Sequence, residues 1–233
     1  IFSAGDRIKK MMIRFGMQPG EKIEHKMASR TIESAQEKVE KHNFDIRKHL
    51  LEYDDVLNQQ RKIVYAYRRE ILEGEEQVRL LVLELISDVI GRIFAIHATG
   101  RELTQDSLQG LLASLHTLTG YEKDFFVIEQ FNITQAQLAI TDALCKEYSL
   151  LRSAVSEEII SQAEKWILLE TVDNAWKVHL QNIDHLKEGI GLRGYSQKNP
   201  LTEYKRESFL EFERMMYQIK WDIVHHVFKL RPE

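Results

Sequence analysis

The sequence predicts an all-α protein, and three observations carry that expectation. Only three prolines and eleven glycines occur in 233 residues, most of them at segment boundaries. Residues 21–73 contain neither. Apolar side chains recur at three- and four-residue spacing over long stretches, the period of a helix face rather than of a strand.

The elements follow in order. Residues 1–20 read as a short amphipathic helix (Ile8, Met11, Met12, Phe15) closed by Gly16 and a Pro19-Gly20 turn. Residues 30–72 read as one long helix. Its stripe runs Ile32, Gln36, Val39, Asn43, Ile46, Leu50, Tyr53, Leu57, Gln60, Val64, Tyr67, Ile71, and nine of these twelve are apolar or aromatic. At 1.5 Å per residue this helix would extend about 60 Å, so it must brace several neighbours or pair as a coiled coil. Leu50 sits at the centre of the stripe and is expected inside a helix–helix interface. Phe44 and Leu51 fall off the stripe and suggest a second contact surface.

Gly74 ends the long helix, and residues 75–155 read as a small helical insertion. Segments 78–98 and 108–118 are bounded by Thr99-Gly100 and Thr119-Gly120. Segment 125–131 is apolar but too short to separate helix from loop. The capping-box spacing of Thr134 and Gln137 opens another helix that runs through Leu151.

Residues 156–233 read as an antiparallel helical hairpin. The first arm, 156–188, carries a stripe of Ala163, Trp166, Leu169, Val172, Trp176, Leu180, Ile183 and Leu186. The second begins with Asn199 as N-cap and Pro200 at the first helical position, then buries Phe209, Phe212, Met216, Ile219, Ile223 and Val227. Between the arms lies GIGLRGYSQKNP (189–200), with Gly189, Gly191 and Gly194 in six residues. Connections between antiparallel helices take about two to five residues, so this loop is longer than reversal demands. It presents Leu192, Arg193, Tyr195 and Lys198, and aromatic and arginine side chains carry much of the energy of protein contacts.

Catalytic and ligand-binding patterns are sparse. There is no phosphate loop of the Gly-x-x-x-x-Gly-Lys-Ser/Thr type and no His-Glu-x-x-His. Cys145 is the sole cysteine, which removes internal disulfides and thiolate-rich zinc sites and suits a reducing, cytosolic compartment. His179 and His185 fall on different helix faces, and His225 and His226 diverge; these read as surface or satisfied interior groups. Glu52, Asp54 and Asp55 read as a solvated face with ion pairs. Asn132-Ile-Thr134 matches a glycosylation sequon, but the cytosolic reading makes that a chance match with Thr134 as cap. A net charge of −4 means that nucleic acid would need a local basic patch, and Glu188, Glu203 and Glu207 dilute the one formed by Arg193, Lys198, Lys205 and Arg206. No apolar run approaches the roughly 20 residues of a membrane span. The absence of an initiating Met suggests a piece of something larger.

Two stretches bear a resemblance. NFDIRKHLLEYDDVLNQQR (43–61) resembles the long scaffold helix of the SecA family of bacterial preprotein translocase ATPases. DNAWKVHL (173–180), GIGLRGYSQKNP (189–200) and EYKRESF (203–209) resemble that family's two-helix finger, and the order is the family's own. The likeness is weakest over 75–155, where the family's helical wing would lie, and 1–17 resembles the last helix of its second motor domain. The resemblance implies four parts: the end of a motor domain (1–20), the scaffold helix (21–74, with Ile46, Leu50, Tyr53 and Leu57 on its stripe), the wing (75–155) and the finger (156–233). It further implies that Tyr195, with Leu192, Arg193, Gly194 and Lys198, contacts a translocating preprotein at the SecYEG channel. ATP and magnesium would be bound by motor domains absent from this segment, with no cofactor or metal here. Implied partners are preproteins, SecYEG, anionic lipids, the chain's own motor domains and a second copy, not nucleic acid. The implied location is cytoplasmic and peripheral on the inner membrane. Without the resemblance, the residues also fit a dimerising coiled-coil module or, less well, a nucleic-acid-binding hairpin.

Overall fold

The computed structural model describes residues 26–98, 104–126, 132–193 and 199–230. Six α-helices occur among them: α1 (Lys26–Leu72), α2 (Glu75–His97), α3 (Gln105–Thr119), α4 (Ile133–Ser153), α5 (Glu157–Arg193) and α6 (Pro200–Phe228), with a 3-10 turn at Lys123–Phe125. The all-α expectation holds. The proposed helix over 1–20 and the turn at Thr99-Gly100 lie outside the described residues.

The chain divides into two compact units, residues 1–52 and 53–233. The described part of the first is a single stretch of α1. Its stripe is bare: Ile46 and Leu50 are 46% and 51% exposed, and Ile32, Val39, Phe44 and Leu51 are exposed with them. This corrects the expectation that Leu50 lies within an interface. Periodicity marks an apolar face without supplying the surface that would bury it.

The second unit is built around one core. Val64 and Ile71 from α1, Val78 through Phe94 along α2, Leu111, Leu115 and Leu118 from α3, and Ile140, Leu144 and Tyr148 from α4 meet Leu168, Val172 and Trp176 of α5 and Phe212, Ile219, Ile223, Val227 and Phe228 of α6. Burying each such side chain fully contributes about 1.5–3 kcal/mol, so this cluster supplies the main driving force of the unit. α5 and α6 pack along each other, and α2 packs on both as well as on α3 and α4. Polar contacts flank the α2–α6 seam: Lys220 pairs with Asp88, and the Arg92 guanidinium lies 5.7 Å from the Tyr217 ring centroid.

Local chemistry explains the boundaries. Asn199 caps α6 as expected, its Oδ1 accepting from the Leu201 N–H at 3.0 Å, with Pro200 in the first turn. Gly120 closes α3 in the left-handed region at φ 70°. The α4 cap differs from expectation. Asn132, not Thr134, accepts from the N–H groups of Thr134 and Gln135, so the helix opens at Ile133. Asn132, two residues before the expected cap, is the side chain that reaches the free donors. At the middle of α3, Gly110 admits close approach of His97: a Cβ there would lie 2.7 Å from the imidazole Nδ1, whose ring also bonds Ser114 Oγ at 2.8 Å.

Candidate functional site

The hairpin arms are α5 and α6, and the first is longer than expected. Helical structure continues past Glu188 to Arg193, so Gly189 and Gly191 are helical rather than part of a loop. Glycine weakens a helix without forbidding it, at about 1 kcal/mol relative to alanine, and the neighbouring Ile190 is buried at 2% exposure. That anchorage offsets the propensity loss. Leu192 and Arg193 form the last helical residues of the arm. Gly194, Tyr195 and Lys198 lie outside the described residues.

Near this end of the arms a second, smaller apolar cluster forms. Ile183 and Ile190 of α5 and Tyr204 of α6 are buried together, with Tyr53, Val56, Leu57 and Leu186 packed against them. Tyr53 and Tyr204 meet with ring centroids 4.7 Å apart. Lys187 reaches over the Tyr53 ring at 5.8 Å to pair with Asp54 at 3.4 Å. Of the four stripe residues singled out on the long helix, Tyr53 and Leu57 thus face the arms within this unit, half-buried. Burial raises the Tyr204 hydroxyl pKa above its ordinary value, so the ring stays neutral in this cluster.

Further along, three helices share a buried polar contact. Gln60 of α1 donates through Nε2 to the Ser208 carbonyl of α6 at 3.1 Å, and its Oε1 lies 2.9 Å from His179 Nε2 of α5. The His179 ring stacks on Trp176 and meets Phe212 edge-on, at 5.6 and 5.7 Å between centroids. Burial holds its pKa below the ordinary histidine value, with Glu211 opposing the shift. His179 is therefore a satisfied interior group.

At the far end of α5 a second network ties α4 to the arm. The Arg152 guanidinium, buried at 5% residue exposure, pairs with Glu164 and Glu157 and also donates to Ser161 Oγ and to the Tyr148 hydroxyl. Glu164 is completely buried. Burial raises its carboxyl pKa, and the neighbouring Tyr148 and Arg152 oppose that rise. From Val172 onward the expected face of α5 is the buried one, and it differs only in the first turns. Ile160, Glu164, Leu168 and Val172 point inward, while Trp166 is 66% exposed rather than part of the core. On α6 the same kind of shift leaves Phe209 exposed and buries Met215. Trp166 borders an open groove of about 870 Å³ between the arms, which Val178, Met215 and Arg214 also line.

Sequence reading missed Gln60, Ser208, Arg152 and Glu164 as structural keys. The available signal was a polar residue at a stripe position: Gln60 between Leu57 and Val64, and Glu164 four residues from both Ile160 and Leu168. Among the described residues no group of three or more His, Cys, Asp or Glu is placed to hold a metal ion, and no helix is long and apolar enough to cross a membrane.

A helical framework carrying a long antiparallel helix pair, braced by a third helix through apolar clusters and a buried amide, defines a scaffold class of protein. Residues 22–231 match the SecA Wing and Scaffold domain, and the chain belongs to that family of protein translocase subunits. It is 40% identical over 231 residues to the SecA translocase subunit of Syntrophobacter fumaroxidans, covering 98% of this chain and 27% of that protein. It is 41% identical over 237 residues to the SecA of Desulfotalea psychrophila, with 99% and 27% covered. The SecA of Campylobacter jejuni is 36% identical over 230 residues, with 97% and 26% covered. The chain spans about a quarter of the length of these relatives.

Proposed function

We propose that this chain is the polypeptide-engaging scaffold of an ATP-driven preprotein translocase, with Tyr195 touching the moving chain. The observation that carries the reading is the continuity of α5, one helix of 37 residues that ends two residues before Tyr195. A hydrogen-bonded helix resists bending, so an arm of this kind delivers displacement at its base to its end. Tyr195 supplies an aromatic face that contacts side chains of varied sequence. Leu192, Arg193, Gly194 and Lys198 complete the contact surface, and the two cations are suited to the SecYEG channel or to anionic headgroups. ATP and magnesium belong to motor domains outside this chain, and the assembly works at the cytoplasmic face of the bacterial inner membrane.

In the intact translocase, Tyr195→Ala is expected to lower the preprotein translocation rate at least several-fold while leaving the thermal midpoint within about 2 °C, a surface-sized effect on stability. Tyr195→Phe should retain most of the rate. Wild-type translocation by the alanine variant would overturn the contact role.

One observation favours a second reading. Ile32, Val39, Ile46 and Leu50 are all exposed on one face of α1, as in the seam of a coiled-coil dimer. Sedimentation equilibrium separates the two: a monomer at tens of micromolar removes the dimerisation module, and a tight dimer lost on Leu50→Asp supports it.

A further inference from the structure

The apolar stripe that α1 turns toward the arms repeats itself. Tyr53, Leu57, Val64, Tyr67 and Ile71 follow one another at three-, four- and seven-residue steps. A slip of α1 by one turn, about 5.4 Å, would bring another large apolar side chain to most of these places, such as Leu57 to that of Tyr53 and Ile71 to that of Tyr67. Apolar packing tolerates such exchange of similar volumes. Gln60 alone does not repeat. It is 6% exposed and bonds both arms at once, donating to the Ser208 carbonyl at 3.1 Å and accepting from His179 at 2.9 Å.

Its orientation is set by chemistry. Only the amide NH2 donates to a carbonyl, so the amide oxygen must face the ring, and His179 must carry its proton on Nε2. Trp176 and Phe212 flank the imidazole. Neither offers His179 an acceptor in place of the amide oxygen. A one-turn slip would put Leu57 or Val64 opposite His179 and leave its buried N–H unpaired. Buried polar contacts of this kind are the best-attested device for fixing register between helices.

We propose that Gln60 is a register pin, a positioning residue that locks α1 axially against both arms so that they move with it without slip. This rests on the translocation reading only for the use made of the motion; the locked register is a property of the chain itself. Its positional counterpart is His179, which holds the acceptor end.

The test is a distance measurement between spin labels at Lys62→Cys and Lys205→Cys, both exposed positions, in the whole chain with Cys145→Ser. The unmodified protein should give one distance. Gln60→Met keeps the volume and removes both hydrogen bonds, and it should add a second population displaced by about 5 Å, one helical turn. Val64→Ala weakens the same packing but keeps the pin, so it should retain the single distance despite a lower thermal midpoint. A single unshifted distance in Gln60→Met would overturn the proposal. Should Gln60→Met lose its helical circular dichroism, His179→Phe, which keeps the stacked ring and removes one bond, takes its place with the same two outcomes. In the intact translocase, Gln60→Met should lower the preprotein moved per ATP consumed several-fold. A second distance with an unchanged yield would keep the pin and reject the transmission of motion through it.

Discussion

Arg152 and Glu164 show how much one buried charge pair shapes this chain. Glu164 has no exposure, and Arg152 spreads its donors over Glu157, Glu164, Ser161 and Tyr148 across the junction of α4 and α5. Removing one member strands the other in low dielectric. Glu164→Ala is therefore expected to cost about 3–5 kcal/mol, read as a lower urea midpoint with unchanged slope. A double replacement of both by methionine should recover much of that loss, because apolar packing often matches a buried ion pair. His179 makes a second prediction at this scale. Its folded pKa lies below the ordinary histidine value of 6.5, so the unfolded chain takes up a proton first as pH falls. The stability it permits is complete above about pH 6.5 and is lost as pH drops through that value. Urea midpoints should fall between about pH 7.5 and about pH 5.5, and His179→Phe should flatten that slope. These residues were the least legible in the sequence. Glutamate and glutamine on a helix count as solvent-facing by type, and their burial depends on partners 12 to 148 positions away.

The elements themselves were legible where apolar period and punctuation agreed. Asn199-Pro200 opens α6, Gly120 closes α3 and Gly74 separates α1 from α2, each as its local chemistry dictates. The first arm was misjudged at its end because glycine reads as a stop, whereas buried Ile190 carries the helix through Gly189 and Gly191 to Arg193. That correction is testable. A Cβ at Gly189 meets nothing within 4 Å, so Gly189→Ala should stabilise the chain by about 0.5–1 kcal/mol. A loop conformation at this position would give no gain. Gly110→Ala should do the opposite, because its Cβ would collide with the His97 ring at 2.7 Å. A loss of more than about 1 kcal/mol is the expected reading, with release of the bond from His97 to Ser114.

At the scale of the molecule, the sequence motifs named the family, and apolar period outlined the helices, but neither located the core. Both halves of the long stripe look alike as sequence. Only the half after Tyr53 is covered, with Val64 and Ile71 buried, while Ile46 and Leu50 stay bare. Periodicity reports that a face is apolar; it carries no record of which neighbour arrives. The second unit, in turn, concentrates its polar keys where α1 and α4 meet the arms, at Gln60 and Arg152. Gln60 bonds both arms partway along their length, and Arg152 holds the first arm near its start. The central claim is that position 195 touches the translocating polypeptide. A photo-crosslinker placed there in the intact translocase, with a stalled preprotein and the channel present, tests it most directly. Adducts to the preprotein are predicted; adducts confined to the translocase's own chain would contradict the account.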